Sequence, residues 1–73
     1  MAVNKNVTTP TFRQLVTIAA LQNGSIVAKS FFPTFQNDVK ATLAETDRYI
    51  SQFEKDFPKA EKSMIVLQNV LMP

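Results

Sequence analysis

Seventy-three residues, with eight Lys+Arg, six Asp+Glu, one Gly and no His, Cys or Trp, make a chain of one domain at most, with a net charge of +2. The absence of thiol and imidazole excludes disulfides and zinc, iron–sulfur and haem sites, and the acids are not clustered for Ca²⁺ or Mg²⁺, so no metal or cofactor is expected. At 45% apolar and 19% charged the chain is expected to fold, helped by self-association or by a partner because its core is small and unstapled.

Residues 1–9 are polar and β-branched without a clear period and read as an extended arm, leaving residues 10–73 as a helical body. Thr9-Pro10 is a helix-start signal, a hydroxyl able to cap followed by a residue whose φ suits the first turn. Phe12, Leu15, Val16 and Ala19 then recur at helical spacing and Asn23-Gly24 supplies a stop, which predicts a first helix over 10–22. The alternative is a β-hairpin, because Asn-Gly between apolar flanks is also the strongest short-range hairpin signal. A two-residue turn would set Leu21 against Ile26, Ala19 against Ala28 and Leu15 against Phe32. The Ala19-Ala20 pair and the Thr-Pro start favour the helix, and residues 25–32 stay open between a short helix and a strand.

Thr34 is placed to cap the next segment, where Phe35, Val39, Leu43, Ile50, Phe53 and Phe57 form a seam spaced by three and four residues. This predicts a helix over 34–56, broken at Phe57-Pro58. In the last segment Ala60, Met64, Leu67 and Leu71 make a further helical stripe, while Ile65, Val66 and Val70 leave nearly every side apolar. Such a segment must be covered on more than one side, by the protein itself or by a contact. The fold class predicted is therefore mainly α, a bundle of three to four helices; the alternative is an N-terminal hairpin at Asn23-Gly24 packed on two helices, an α+β fold.

Charge is unevenly spread. Residues 1–37 carry Lys5, Arg13 and Lys29 and no acid, whereas residues 38–73 carry all six acids against five cations. Without His or Cys the usual bases, nucleophile partners and metal ligands are missing, and the carboxylates fall on solvent-facing helical positions, so the chain is not expected to be an enzyme. Ser25 and Lys29 have the i,i+4 spacing of a Ser-Lys pair, a spacing that chance also supplies. The segment 16–35 has the Ala20…Gly24 interval of a helix-turn-helix, with Lys5, Arg13 and Lys29 as the phosphate contacts that an alternative DNA-binding role would use. Ser25, Ser30 and Pro33 stand where that motif wants apolar or helical residues. Phe31, Phe32 and Phe35 lack the interleaved cations of a base-stacking platform and read as core, with one of the adjacent pair free to anchor a partner.

Residues 1–6 do not read as a signal peptide and the apolar runs 15–21 and 64–67 are too short to span a bilayer, so a cytoplasmic location is expected, that of a host if the source is viral. The sequons at Asn6 and Asn23 then read as chance matches. The function these features favour is a non-enzymatic binding module that docks on a larger protein assembly and regulates it. Its surface would combine Val3, Lys5, Val7, Phe12 and Arg13 with Ile65, Val66 and Val70, whose apolar or positive character exceeds what a bundle needs. In size, basic charge and freedom from cysteine the chain resembles small phage-encoded proteins that bind host machinery such as RNA polymerase. That resemblance implies a regulator of host transcription; a minor virion structural or assembly protein, self-associating, is a further alternative.

Overall fold

A computed structural model describes residues 11–72 of the chain. Its first element is a strand, β1 (Thr11–Gln22), followed by β2 (Ser25–Phe31), one helix, α1 (Val39–Asp56), and a last strand, β3 (Glu61–Met72). The helical bundle expected from the sequence is thus overturned: half of the described residues lie in a three-stranded antiparallel sheet of order β2-β1-β3, an α+β architecture. The hairpin weighed as the alternative is what forms, packed on one helix rather than two. The predicted arm falls outside the described residues, as does Pro10.

The hairpin prevails because Asn23 and Gly24 both adopt left-handed backbone, φ 54° and 79°, as a two-residue type I′ turn requires. That turn fixes the register: Gln22 faces Ser25, Leu21 faces Ile26, Ala19 faces Ala28 and Val16 faces Phe31. Along β1 every second residue, Val16, Ile18 and Ala20, is buried, while the intervening Leu15, Thr17 and Ala19 are only half-covered. The apolar residues of this segment fit both a period of two and one of 3.6. The turn decides between them.

Pro33 follows β2 fully buried, and its missing N–H leaves β1 without a donor at the next step of the ladder. The Gln36 amide fills that place. The Gln14 N–H donates to Gln36 Oε1 at 2.7 Å, and Gln36 Nε2 donates to the carbonyls of Gln14, at 3.2 Å, and Pro33, at 3.0 Å. The loop then turns at Asn37 (φ 67°) into Asp38, whose carboxylate caps α1 by accepting the Ala41 N–H at 3.0 Å. The helix predicted from Thr34 therefore starts at Val39, and Thr34 instead hydrogen-bonds its interior.

Helix α1 crosses one face of the sheet and connects β2 to β3 over β1. Ile18, Ala20 and Phe53 form the core cluster, with Val27, Ile50, Phe57 and Ala60 packed around it. Phe31 stacks on Tyr49 at one end and Phe53 meets Phe57, tilted, at the other. The helix lies on the sheet through its C-terminal half, so of the predicted seam Phe53 is buried, whereas Phe35, Val39 and Leu43 are exposed. After Pro58, a bulge at Lys62 (φ 55°) shifts the register, and nine unbroken pairs run from Ala19↔Met64 to Thr11↔Met72. The segment predicted as a last helix is a strand because Ile65, Val66 and Val70 are β-branched and both of its faces are apolar.

Candidate functional site

Pairing puts facing residues on the same side of the sheet, so the ladder sorts the side chains into two faces. The face under α1 carries Val16, Ile18, Ala20, Val27 and Phe31. Among the described residues no element covers the opposite face. From β1 it presents Arg13, Leu15, Thr17, Ala19 and Leu21; from β2, Ile26, Ala28 and Ser30; from β3, Glu61, Met64, Val66, Gln68 and Val70. Ile26 is 78% exposed and Met64 58%. A shallow hollow of about 340 Å³ opens where small side chains lie between large ones, lined by Ala19, Ala20, Leu21, Ile26, Lys62 and Met64.

Polar groups on this face are few and mostly matched. Thr17 and Ser30 share a hydroxyl–hydroxyl hydrogen bond of 2.7 Å across β1 and β2. The guanidinium of Arg13 lies 4.8 Å from the centroid of the Phe32 ring, a cation–π contact that holds the charge at one end of the face. Along the paired stretches the one acidic side chain on this face is Glu61, opposite Leu21 at the other end of β1, so Arg13 keeps a charge for which a bound surface can supply the counter-ion.

The acids near the sheet are engaged under the helix. Glu45, 9% exposed, accepts the Thr34 N–H at 2.9 Å and the Thr34 hydroxyl at 2.7 Å. These two bonds, first that of the backbone, hold its carboxyl below the usual Glu value despite the burial that opposes them, and the charge of Arg48 adds to the effect. Asp56 accepts from the Lys29 ammonium at 2.8 Å and from the Gln52 amide at 3.2 Å, and is lowered first by Lys29 and then by Gln52. Among the described residues no three His, Cys, Asp or Glu side chains come together as a metal site. Among the described residues no helix is long and apolar enough to cross a membrane.

The structure divides the residues singled out from the sequence. Arg13, Val66 and Val70 share the open face, whereas Phe12 and Ile65 lie on the face of the helix, where α1 leaves them exposed. Val3, Lys5 and Val7 lie outside the described residues. The helix-turn-helix loses both its helices, since 16–22 and 25–31 are strands, and its candidate cations are dispersed: Arg13 sits on the open face and Lys29 is bound to Asp56 on the other. Ser25 and Lys29, four residues apart on an extended strand, stand about 13 Å from one another and form no pair.

Sequence reasoning missed Leu15, Leu21, Ile26 and Met64 as surface residues. The signal for the first three was present in the alternation on either side of Asn23-Gly24. No family model, no curated protein and no solved structure matches this chain.

Proposed function

We propose that this protein is a small non-catalytic binding module that docks the open face of its sheet onto an apolar surface of a larger protein. One observation carries the reading: among the described residues a whole sheet face, led by Leu21, Ile26, Met64 and Val66, is left uncovered, and its paired stretches carry charge only at their two ends, in Arg13 and Glu61. In an antiparallel sheet the solvent face ordinarily alternates to polar residues, and a contiguous apolar face rimmed by charge marks a contact. The hollow at Ala19, between Leu21, Ile26 and Met64, admits a side chain between larger neighbours, the arrangement in which anchor residues contribute most of the affinity.

Regulation of a transcription complex is the form of this function that the size and composition suggest, and bacterial RNA polymerase is the first partner to assay. Immobilised protein should retain the purified polymerase. Met64→Glu or Val66→Glu should cut that binding at least tenfold, because each sets a carboxylate in the apolar contact. Leu67→Glu, exposed on the opposite face, should leave it intact. Retention unaffected by the open-face changes, or lost equally with Leu67→Glu, would overturn the reading of this face.

A further inference from the structure

Strand β3 is an outer strand whose far edge no described residue protects. It pairs with β1 along one side only, and none of its residues is buried. Natural sheets guard such edges with charges, prolines, bulges or a covering element. Here the only such devices stand at the start of the strand, in Glu61 and the bulged Lys62; from Ser63 to Met72 there is no charge, no Pro and no Gly.

The unguarded stretch has an internal symmetry. Read from either end, Met64-Ile65-Val66-Leu67-Gln68-Asn69-Val70-Leu71-Met72 matches itself in character about Gln68 except at Leu67 and Asn69. It is also the stretch that pairs with β1 without interruption. A sequence of this form suits a strand that pairs with its own copy.

We propose that β3 pairs antiparallel with β3 of a second copy, about a two-fold axis through Gln68, joining two three-stranded sheets into one of six. An axis perpendicular to the sheet keeps both helices on one side and the side-chain faces matched. On the open face it sets Met64 against Met72, Val66 against Val70 and Gln68 against its equivalent. On the helix face it sets Ile65 against Leu71 and Leu67 against Asn69, the one mixed pair. Moving the axis to Leu67 sets Ile65 against Asn69, Val66 against Gln68 and Ser63 against Leu71; moving it to Asn69 shortens the ladder by two residues.

The register therefore selects itself. At the axis the two Gln68 side chains are close enough to hydrogen-bond through their amides, since directly opposed residues have Cα atoms about 4.5–5.5 Å apart. The seam also gives Ile65, Leu67 and Leu71, which α1 leaves 49–59% exposed, apolar and polar neighbours from the other copy. This pairing uses the edge of β3 and leaves the open face free for docking, so each reading stands or fails by its own experiment.

Single-cysteine variants of the full chain test it, because the protein has no thiol of its own. Gln68→Cys under mild oxidation should form a disulfide-linked dimer, its two Cα atoms lying within the span of a disulfide. Thr17→Cys, on β1, should stay monomeric in the denaturing gel, as three strand spacings, about 14 Å, separate the two copies of β1. Wild-type protein should have a dimer's mass by light scattering at about 100 μM, and Gln68→Lys, with circular dichroism unchanged, should associate at least tenfold more weakly. A monomeric wild type, or cross-linking at Thr17→Cys as fast as at Gln68→Cys, would overturn the proposal; the second result would mean that sheet faces, not edges, meet.

Discussion

Phe31, at the end of β2, stacks on Tyr49 of α1 with ring centroids 3.9 Å apart and planes within 6° of parallel. The contact ties the hairpin to the helix where, among the described residues, only Val16, Ile18, Ala20, Phe53 and Pro33 are buried apolar residues besides Phe31, itself 7% exposed. Phe31→Ala should cost about 3–5 kcal/mol, comparable with the whole stability of a domain this small, so the variant should be largely unfolded. A double-mutant cycle with Phe31→Leu and Tyr49→Leu should give a coupling of about 0.5–1.5 kcal/mol in urea titrations. Additivity of the two changes would mean that the rings contribute only their buried area.

Gly24 has open space around the position of a Cβ, so steric collision plays no part in its role. Its φ of 79° does. Gly24→Ala should destabilise the protein by about 1–2 kcal/mol through the backbone alone, and Gly24→Val, β-branched, by more. Asn23→Gly, at φ 54°, should be tolerated with a change of no more than about 0.5 kcal/mol. Thermal midpoints of the three variants check the ordering; equal midpoints for Gly24→Ala and wild type would remove the turn as the element that sets the register.

How far the fold can be read in advance follows from these same residues. Asn23-Gly24 announces a reversal, yet Leu15, Val16, Ile18 and Ala19 satisfy two periods at once, and Ala-Ala in a strand runs against propensity. Tertiary packing overrides that propensity: Ala20 is buried in the cluster with Ile18 and Phe53. The helix is legible in its extent to Asp56 but not in its orientation, because the seam from Phe35 to Leu43 is as apolar as the half that packs. The start is displaced because Gln36 of the loop is engaged by Gln14 of β1, 22 positions away, and Glu45 of the helix by Thr34, 11 positions away. In β3 a run apolar on all sides has no period at all, and only its β-branched residues hint at a strand. Arg13, Val66 and Val70 were legible as surface residues because their character exceeds core needs, but their common face exists only once the register is known.

Asp38 satisfies an orphan N–H in the first turn of α1, and no acid within that turn assists it. Asp38→Ala should therefore cost about 1 kcal/mol. Asp38→Ser or Asp38→Asn should restore most of it, since either side chain offers an oxygen to the Ala41 N–H. Hydrogen exchange at Ala41 and Thr42 would report the loss directly. Unchanged protection in Asp38→Ala would show that the turn preceding the helix, closed by the Asp38 N–H on the Phe35 carbonyl, suffices.

Acid should loosen the attachment of the helix to the sheet at two points. Glu45 and Asp56 both titrate below their ordinary values of 4.5 and 3.8 in the folded protein, because Thr34 donates to one and Lys29 and Gln52 to the other. The unfolded chain then binds protons more readily than the folded one, so stability rises with pH across this range. The contribution is complete above the unfolded values and is lost as pH falls through the folded ones. Urea midpoints should hold steady from about pH 7 to pH 5 and decline below about pH 4.5. Thr34→Val, which removes the hydroxyl that donates to Glu45, should shallow the decline, and Lys29→Met should do so at Asp56. If both variants lose stability with acid as steeply as wild type, the acid response comes from elsewhere, and these two carboxylates do not hold α1 to β2 and its loop.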